Sequence, residues 1–173
     1  VKKLPLYIFN IGEHSNKNSM AQSVIFEHAK YVYTKGNSFP LKSNRESFDE
    51  LYRKLLEIAE DLFDGLELLE NNKRTCWAYL TNKDFYRGGI HDHMRTSVIN
   101  AVYYLQVPKT KSYKEGGISF YDEENNEVFC FKPRAGDLVI FPNHLKHQPH
   151  QSNTDDFRIA INMEIMCEPV NWQ

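Results

Sequence analysis

The sequence predicts a mainly β fold: a double-stranded β-helix (jelly-roll) barrel covered by helices from the N-terminal third. Three observations predict it. The stretches 75–82, 99–107, 117–122, 127–133, 137–142 and 157–166 are short runs rich in β-branched and aromatic residues, among them "TCWAYLTN", "INAVYYLQV" and "FRIAINMEIM". Turn signals ("KEGG", "EENNE", "PRAGD", "SNTDD") separate the later runs, and short strands at such intervals argue for a sandwich or barrel. No helical pattern alternates with them, which argues against a parallel sheet. Aromatic residues at 13% suit strands that line a cavity.

In chain order, "LPLYIFN" (4–10) reads as a first strand and the polar 12–23 as a loop. Residues 24–33, "VIFEHAKYVY", fit helix or strand, and "GNSFPLKSN" (36–44) breaks the run. A helix follows, with Ser47 and Glu50 spaced as a capping box. Leu51, Leu55, Ile58 and Leu62 recur at helical spacing and predict a buried face. The helix is expected to run to about Asn71, with Gly65 as its weak point. The six β runs complete the chain. This organisation predicts one domain over 1–173, with 1–74 as strand and helical support and 75–168 as the barrel core.

The bulk numbers narrow the function. The chain has 173 residues, 41% hydrophobic and 25% charged, enough for one real core and unlike a disordered segment. Net charge is −2 with no long basic run, so nucleic-acid binding is not expected. Cys76, Cys130 and Cys167 are odd in number and widely spaced, the pattern of reduced thiols in an intracellular, cytoplasmic protein. No apolar run reaches membrane-spanning length and "VKKLPLYIFN" lacks a signal-peptide core, so no membrane partner is expected.

Two of the seven histidines, His91 and His93, stand one residue apart just ahead of a strand-like run. On a strand, alternate side chains share a face, so both imidazoles project together and Asp92 points away. Converging imidazoles suggest a metal. A third ligand is sought in "GDLVIFPNHLKHQPHQSN" (136–153), which holds His144, His147 and His150. Beyond it, alternation puts Arg158, Ala160 and Asn162 on one face and Ile159, Ile161 and Met163 on the other.

From Trp77 to Ile165 the chain resembles the 2-oxoglutarate/Fe(II) dioxygenases, in particular the prolyl 4-hydroxylase-like and aspartyl β-hydroxylase-like groups. The resemblance rests on "HDH" at 91–93, "AVYYLQVP" (101–108), "EGGISFYD" (115–122), "FKPRAGDLVIFP" (131–142), and a histidine followed by an arginine. It implies that His91 is the first metal ligand. His147, five residues past Pro142 and eleven before Arg158, is then the distal one. Arg158 is the residue that grips the far carboxylate of 2-oxoglutarate. Trp77, Tyr79 and Tyr104 read first as core aromatics; a cavity-facing hydroxyl, here Tyr104, and Asn162 are candidate co-substrate contacts. His144 and His150 fit exposed or supporting positions, and His14 and His28 surface or core ones.

The departure is at His93, where the family pattern has Asp or Glu. Three readings stand: His93 ligates and completes a three-histidine set; it does not, and water completes the site; or a bulge turns Asp92 inward. Period-two geometry favours His93. The implied activity is hydroxylation of a C–H bond with Fe(II), 2-oxoglutarate and O2, and ascorbate as an accessory reductant. The substrate is a peptide or protein side chain such as proline, or a small metabolite. The segments that would select it are 82–89, 109–117 and the N-terminal region. The alternative is a cupin-like three-histidine metal enzyme, a dioxygenase or isomerase that does not use 2-oxoglutarate. Gly136, Pro142 and His147 fit the second cupin motif, but the cupin glutamate is missing from Met94 to Ile99. A non-catalytic barrel that binds a ligand or partner is the third functional reading.

Overall fold

The computed structural model describes residues 3–31, 38–40, 44–86, 88–95 and 98–172. β1 (Tyr7–Asn10) and α1 (Lys17–Tyr31) open the chain, followed by β2 (Ser38–Pro40) and α2 (Arg45–Leu62). The remaining strands are β3 (Thr75–Thr81), β4 (Ile99–Gln106), β5 (Ile118–Tyr121), β6 (Glu127–Phe131), β7 (Asp137–Pro142), β8 (Lys146–Pro149) and β9 (Arg158–Ile165). They form an antiparallel six-stranded sheet, β1-β7-β4-β9-β3-β2, and a three-stranded sheet, β6-β5-β8.

Period-two alternation divides the large sheet between two cores. Ile99, Ala101 and Tyr103 of β4, Leu138 and Ile140 of β7, and Ile159, Ile161 and Met163 of β9 pack with the helices. Val102 and Tyr104, Val139 and Phe141, and Ala160 face the other way, into a core shared with Ile118 and Phe120 of the small sheet. β4 and β7 are buried at almost every position because both of their faces are covered. Fully burying a side chain of this kind contributes about 1.5–3 kcal/mol, so both faces hold the sheet in register. Gly136 closes the turn into β7: its φ is +90°, and a Cβ there would lie 2.6 Å from the Gly12 carbonyl carbon.

The N-terminal third departs from expectation in three places. The polar 12–23 segment is a loop only to residue 16; it then begins α1, which docks through Met20, Ala21 and Val24. The ambiguous run is helical to Tyr31; Val32 and Tyr33, like much of the 36–44 break, lie outside the described residues. The capping box is absent, because α2 starts earlier, at Arg45. Its N-cap, Asn44, is left-handed (φ 54°) and makes no side-chain cap; its Nδ2 instead donates to Ser19 O and Ser23 Oγ of α1. Ser47 is buried inside the helix, its Oγ accepting from Asn16 Nδ2 at 3.1 Å. α2 buries Leu51 and Leu55 but stops at Leu62, well before Asn71. Phe63 turns extended and Gly65 left-handed (φ 69°), and Leu68 then bridges to Cys167.

Candidate active site and metal centre

β8 is a strand that hydrophobic patterning did not reveal: "KHQP" has no apolar alternation. Backbone pairing makes it. β5 lies on one side, with Phe120 opposite His147. On the other side His91 and His147 exchange both backbone hydrogen bonds, His91 N–H to His147 O at 3.0 Å and His147 N–H to His91 O at 2.9 Å. Directly opposed residues of an antiparallel pair put their side chains on one face. His93, two residues on, donates its backbone N–H to Asn143 O at 2.8 Å rather than to Leu145, which regular pairing would place opposite it, so the two segments stay tied while the register shifts. Two ladders thus bring three imidazoles together across more than fifty residues of chain.

One ligating nitrogen from each of His91, His93 and His147 lies within 4.8 Å of the others, and this is the group of metal-ligating type found among the described residues. The neighbours assign the protons. His91 Nδ1 meets Gly89 O at 2.8 Å and His147 Nδ1 meets Leu145 O at 2.9 Å, so each Nδ1 donates and each Nε2 is left bare. Nε2 of His93 lies 3.2 Å from Nε2 of His147, and the two rings are nearly parallel. Burial, with the nearby His91 as the second cause, holds His147 down to about 3 and His93 to about 4. Both rings are therefore neutral near pH 7. Bare imidazole nitrogens facing one point are what a divalent transition ion requires, so the residues fit a metal.

Asp92 is exposed, and its Oδ1 accepts from the backbone N–H of Met94 at 3.2 Å; it does not join the group. His144 is exposed, and His150 Nε2 contacts Ser119 Oγ at 2.7 Å. His14 contacts Glu50, and His28 is buried against Phe85 and Phe157.

The imidazoles stand at one part of a cavity of about 190 Å³ whose wall also includes Arg158, Tyr104 and Asn162. Arg158 is 1% exposed; its Nε donates to Gly116 O at 2.6 Å, and its Cζ lies 5.0 Å from the Tyr104 ring centroid. Arg158 Nη1 and the Tyr104 hydroxyl are buried and make no hydrogen bond with another described residue. At the surface, Asp155 pairs with Lys83. A buried guanidinium with an unspent N–H is costly unless an anion completes it. Tyr104 keeps its proton, because burial raises its pKa and the Arg158 charge lowers it only in part.

Two aromatics read as core residues belong to the cavity instead: Trp77 and Tyr79 line it, while Cys76, Ala78 and Leu80 of the same strand face the helices. Glu164 was not singled out in the sequence. It is buried, and its Oε1 lies 3.6 Å from His93 Nδ1. The signal was present, since Glu164 continues the period-two stripe of Arg158, Ala160 and Asn162.

Two packed sheets that wall a pocket, with bare imidazoles at one place and an unpaired cation at another, are the layout of a metalloenzyme taking a small anionic co-substrate. The profile of the 2OG-Fe(II) oxygenase family matches residues 75–164, just over half the chain, and the chain belongs to that family. It is a 2-oxoglutarate-dependent dioxygenase, with Fe(II) and 2-oxoglutarate as its cofactor and co-substrate. Solved structures share the fold. A Pseudomonas putida prolyl-4-hydroxylase is 16% identical, with 95% of this chain and 94% of that one covered, at a TM-score of 0.64. A Trichoplax adhaerens prolyl hydroxylase in complex with a hypoxia inducible factor peptide fragment is 16% identical, over 94% and 83%, at 0.62. HygX from Streptomyces hygroscopicus, with nickel and 2-oxoglutarate bound, is 12% identical, over 92% and 81%, at 0.55. No curated protein matches the sequence significantly.

Proposed function

We propose that the enzyme hydroxylates a C–H bond of a peptide or protein side chain, such as that of proline, using His91, His93 and His147 to hold Fe(II). The bound iron supplies the family's chemistry: oxygen transfer to carbon coupled to decarboxylation of 2-oxoglutarate to succinate. Arg158 binds the far carboxylate of 2-oxoglutarate through its free Nη1, and the neutral Tyr104 hydroxyl donates to the same group. Asn162 offers a further amide contact on that wall. Val102, Ile118 and Ala160 keep the cavity apolar between the polar ends, which excludes water and leaves room for the co-substrate. The observation that carries this reading is Arg158, a buried cation with an unspent donor in the same cavity as the imidazoles. A cupin-like enzyme indifferent to 2-oxoglutarate gives that cation no role.

A peptide substrate is supported by the exposed apolar surface on the segments that carry the ligands. Tyr86, Ile90 and Met94 are all exposed, and the Tyr86 hydroxyl donates to the carbonyl of Pro149, a residue of the cavity wall. The reading further takes the fold as a helix-covered double-stranded β-helix and the chain as one domain, with 75–168 as its catalytic core. It places the enzyme in a reducing, intracellular compartment, with ascorbate as accessory reductant. The test is succinate formation from 2-oxoglutarate with Fe(II) and ascorbate, with and without a pool of proline-containing peptides. Peptide-stimulated succinate with a hydroxylated peptide by mass spectrometry is expected. Peptide-independent turnover with an unmodified pool would redirect the assignment to a small metabolite.

A further inference from the structure

The family's ligand set contains a carboxylate, and this chain has an imidazole in its place. A carboxylate ligand lowers the net charge of a divalent site by one; a third neutral imidazole does not. A carboxyl group is nevertheless close by. Glu164 lies on β9 six residues beyond Arg158, about 20 Å along the strand, on the same face. That face runs from the co-substrate cation at one end to the imidazoles at the other. Glu164 is 7% exposed, and its Oε1 lies 3.6 Å from His93 Nδ1, the ring nitrogen opposite the one that faces His147.

Resting on the three-histidine reading above, we infer that Glu164 is a positioning residue which acts on the metal through His93, restoring from behind the ligand the negative charge that the ligand set itself lacks. The geometry supplies two effects. A carboxylate beside Nδ1 favours the proton there, which leaves the Nε2 lone pair free for the metal. The opposite tautomer would set a bare Nδ1 against an anion. The same carboxylate makes the imidazole a stronger donor to the ion, as outer carboxylates do for ligating histidines. With His93 neutral, the 3.6 Å contact sets a carboxylate against the Nδ1–H dipole of the ring.

The test is anaerobic Co(II) titration of the full chain, followed by visible absorption, for the wild type, Glu164→Gln, His93→Ala and the double variant. Glu164→Gln keeps the side-chain volume and removes the charge. It is expected to weaken Co(II) binding about tenfold, the lower end of the effect of removing an outer partner, and to alter the ligand-field spectrum. In the His93→Ala background the same change is expected to do nothing further. Equal Co(II) affinity in wild type and Glu164→Gln overturns the inference, as does an undiminished tenfold loss without His93. A second measurement needs no variant: 15N shifts of the wild type loaded with diamagnetic Zn(II) should report His93 ligating through Nε2 with its Nδ1 towards Glu164 protonated, and ligation through Nδ1 overturns the proposal. A wild type that binds no Co(II) at all would instead sink the metal-site reading on which it rests.

Discussion

Arg158 carries a full charge at 1% exposure and spends its Nε on Gly116 O, which leaves Nη1 without a hydrogen-bond partner among the described residues. Replacing it with Ala should raise the 2-oxoglutarate concentration needed for half-maximal turnover by roughly a hundredfold, the equivalent of about 2.7 kcal/mol for a charge-assisted pair. Co(II) affinity should stay unchanged. Lysine should not rescue it, because a point charge cannot reproduce the guanidinium fork. An Arg158→Ala enzyme with unaltered 2-oxoglutarate dependence would remove the basis for the co-substrate site. The histidines make a pH prediction. Folding holds His147 at about 3 and His93 at about 4, against 6.5 for ordinary histidine. The unfolded chain therefore takes up protons that the folded one refuses. Stability of the metal-free protein should be full above about pH 6.5 and fall as pH drops toward 4. His147→Gln should flatten that slope in thermal melts, and a wild-type melting temperature constant from pH 7 to 4 would contradict the assignment.

At the scale of elements, the site depends on backbone pairing more than on hydrophobic pattern. β8 has no apolar alternation and ends in proline, yet the bonds it exchanges with His91 set the two most distant ligands opposite each other. The strands β4, β7 and β9 were legible because burial on both faces demands β-branched and aromatic residues, and β3 because its buried face alternates with one that lines the cavity. α1 was not legible, because its start is polar and its few apolar contacts become a pattern only once docked. The cap of α2 was misread for a related reason: Ser47 and Asn44 are used between helices rather than along one. Two substitutions probe these elements. Gly136→Ala forces a Cβ to within 2.6 Å of the Gly12 carbonyl carbon at a φ of +90°. It should cost at least about 1–3 kcal/mol in chemical denaturation. Leu55→Ala empties a fully buried position of α2 and should cost about 2–5 kcal/mol. If Leu55→Ala is nearly neutral, α2 does not seat on the sheet as described.

For the molecule as a whole, metal and co-substrate bind the folded state and join segments that the chain alone holds apart. Ligand at about a hundred times its dissociation constant adds about 2.7 kcal/mol. In a chain of this size that corresponds to a rise of roughly 5–10 °C. Anaerobic Fe(II) with 2-oxoglutarate should therefore raise the melting temperature, and a chelator should return it to the metal-free value. A melt indifferent to both would count against the site as a whole. Sequence by itself determined the β-rich class, the six strand runs, the pairing of His91 with His93 on one face, and the resemblance that singled out His147 and Arg158. The first three are carried by residue type and period two, which are local properties of a strand; the last rests on the order of motifs that resembles the family. Tertiary structure alone decided that Trp77 and Tyr79 line the cavity and that Glu164 stands behind His93. Each of these depends on which strand lies opposite and which face another element covers, and a chain read one residue at a time does not contain that information.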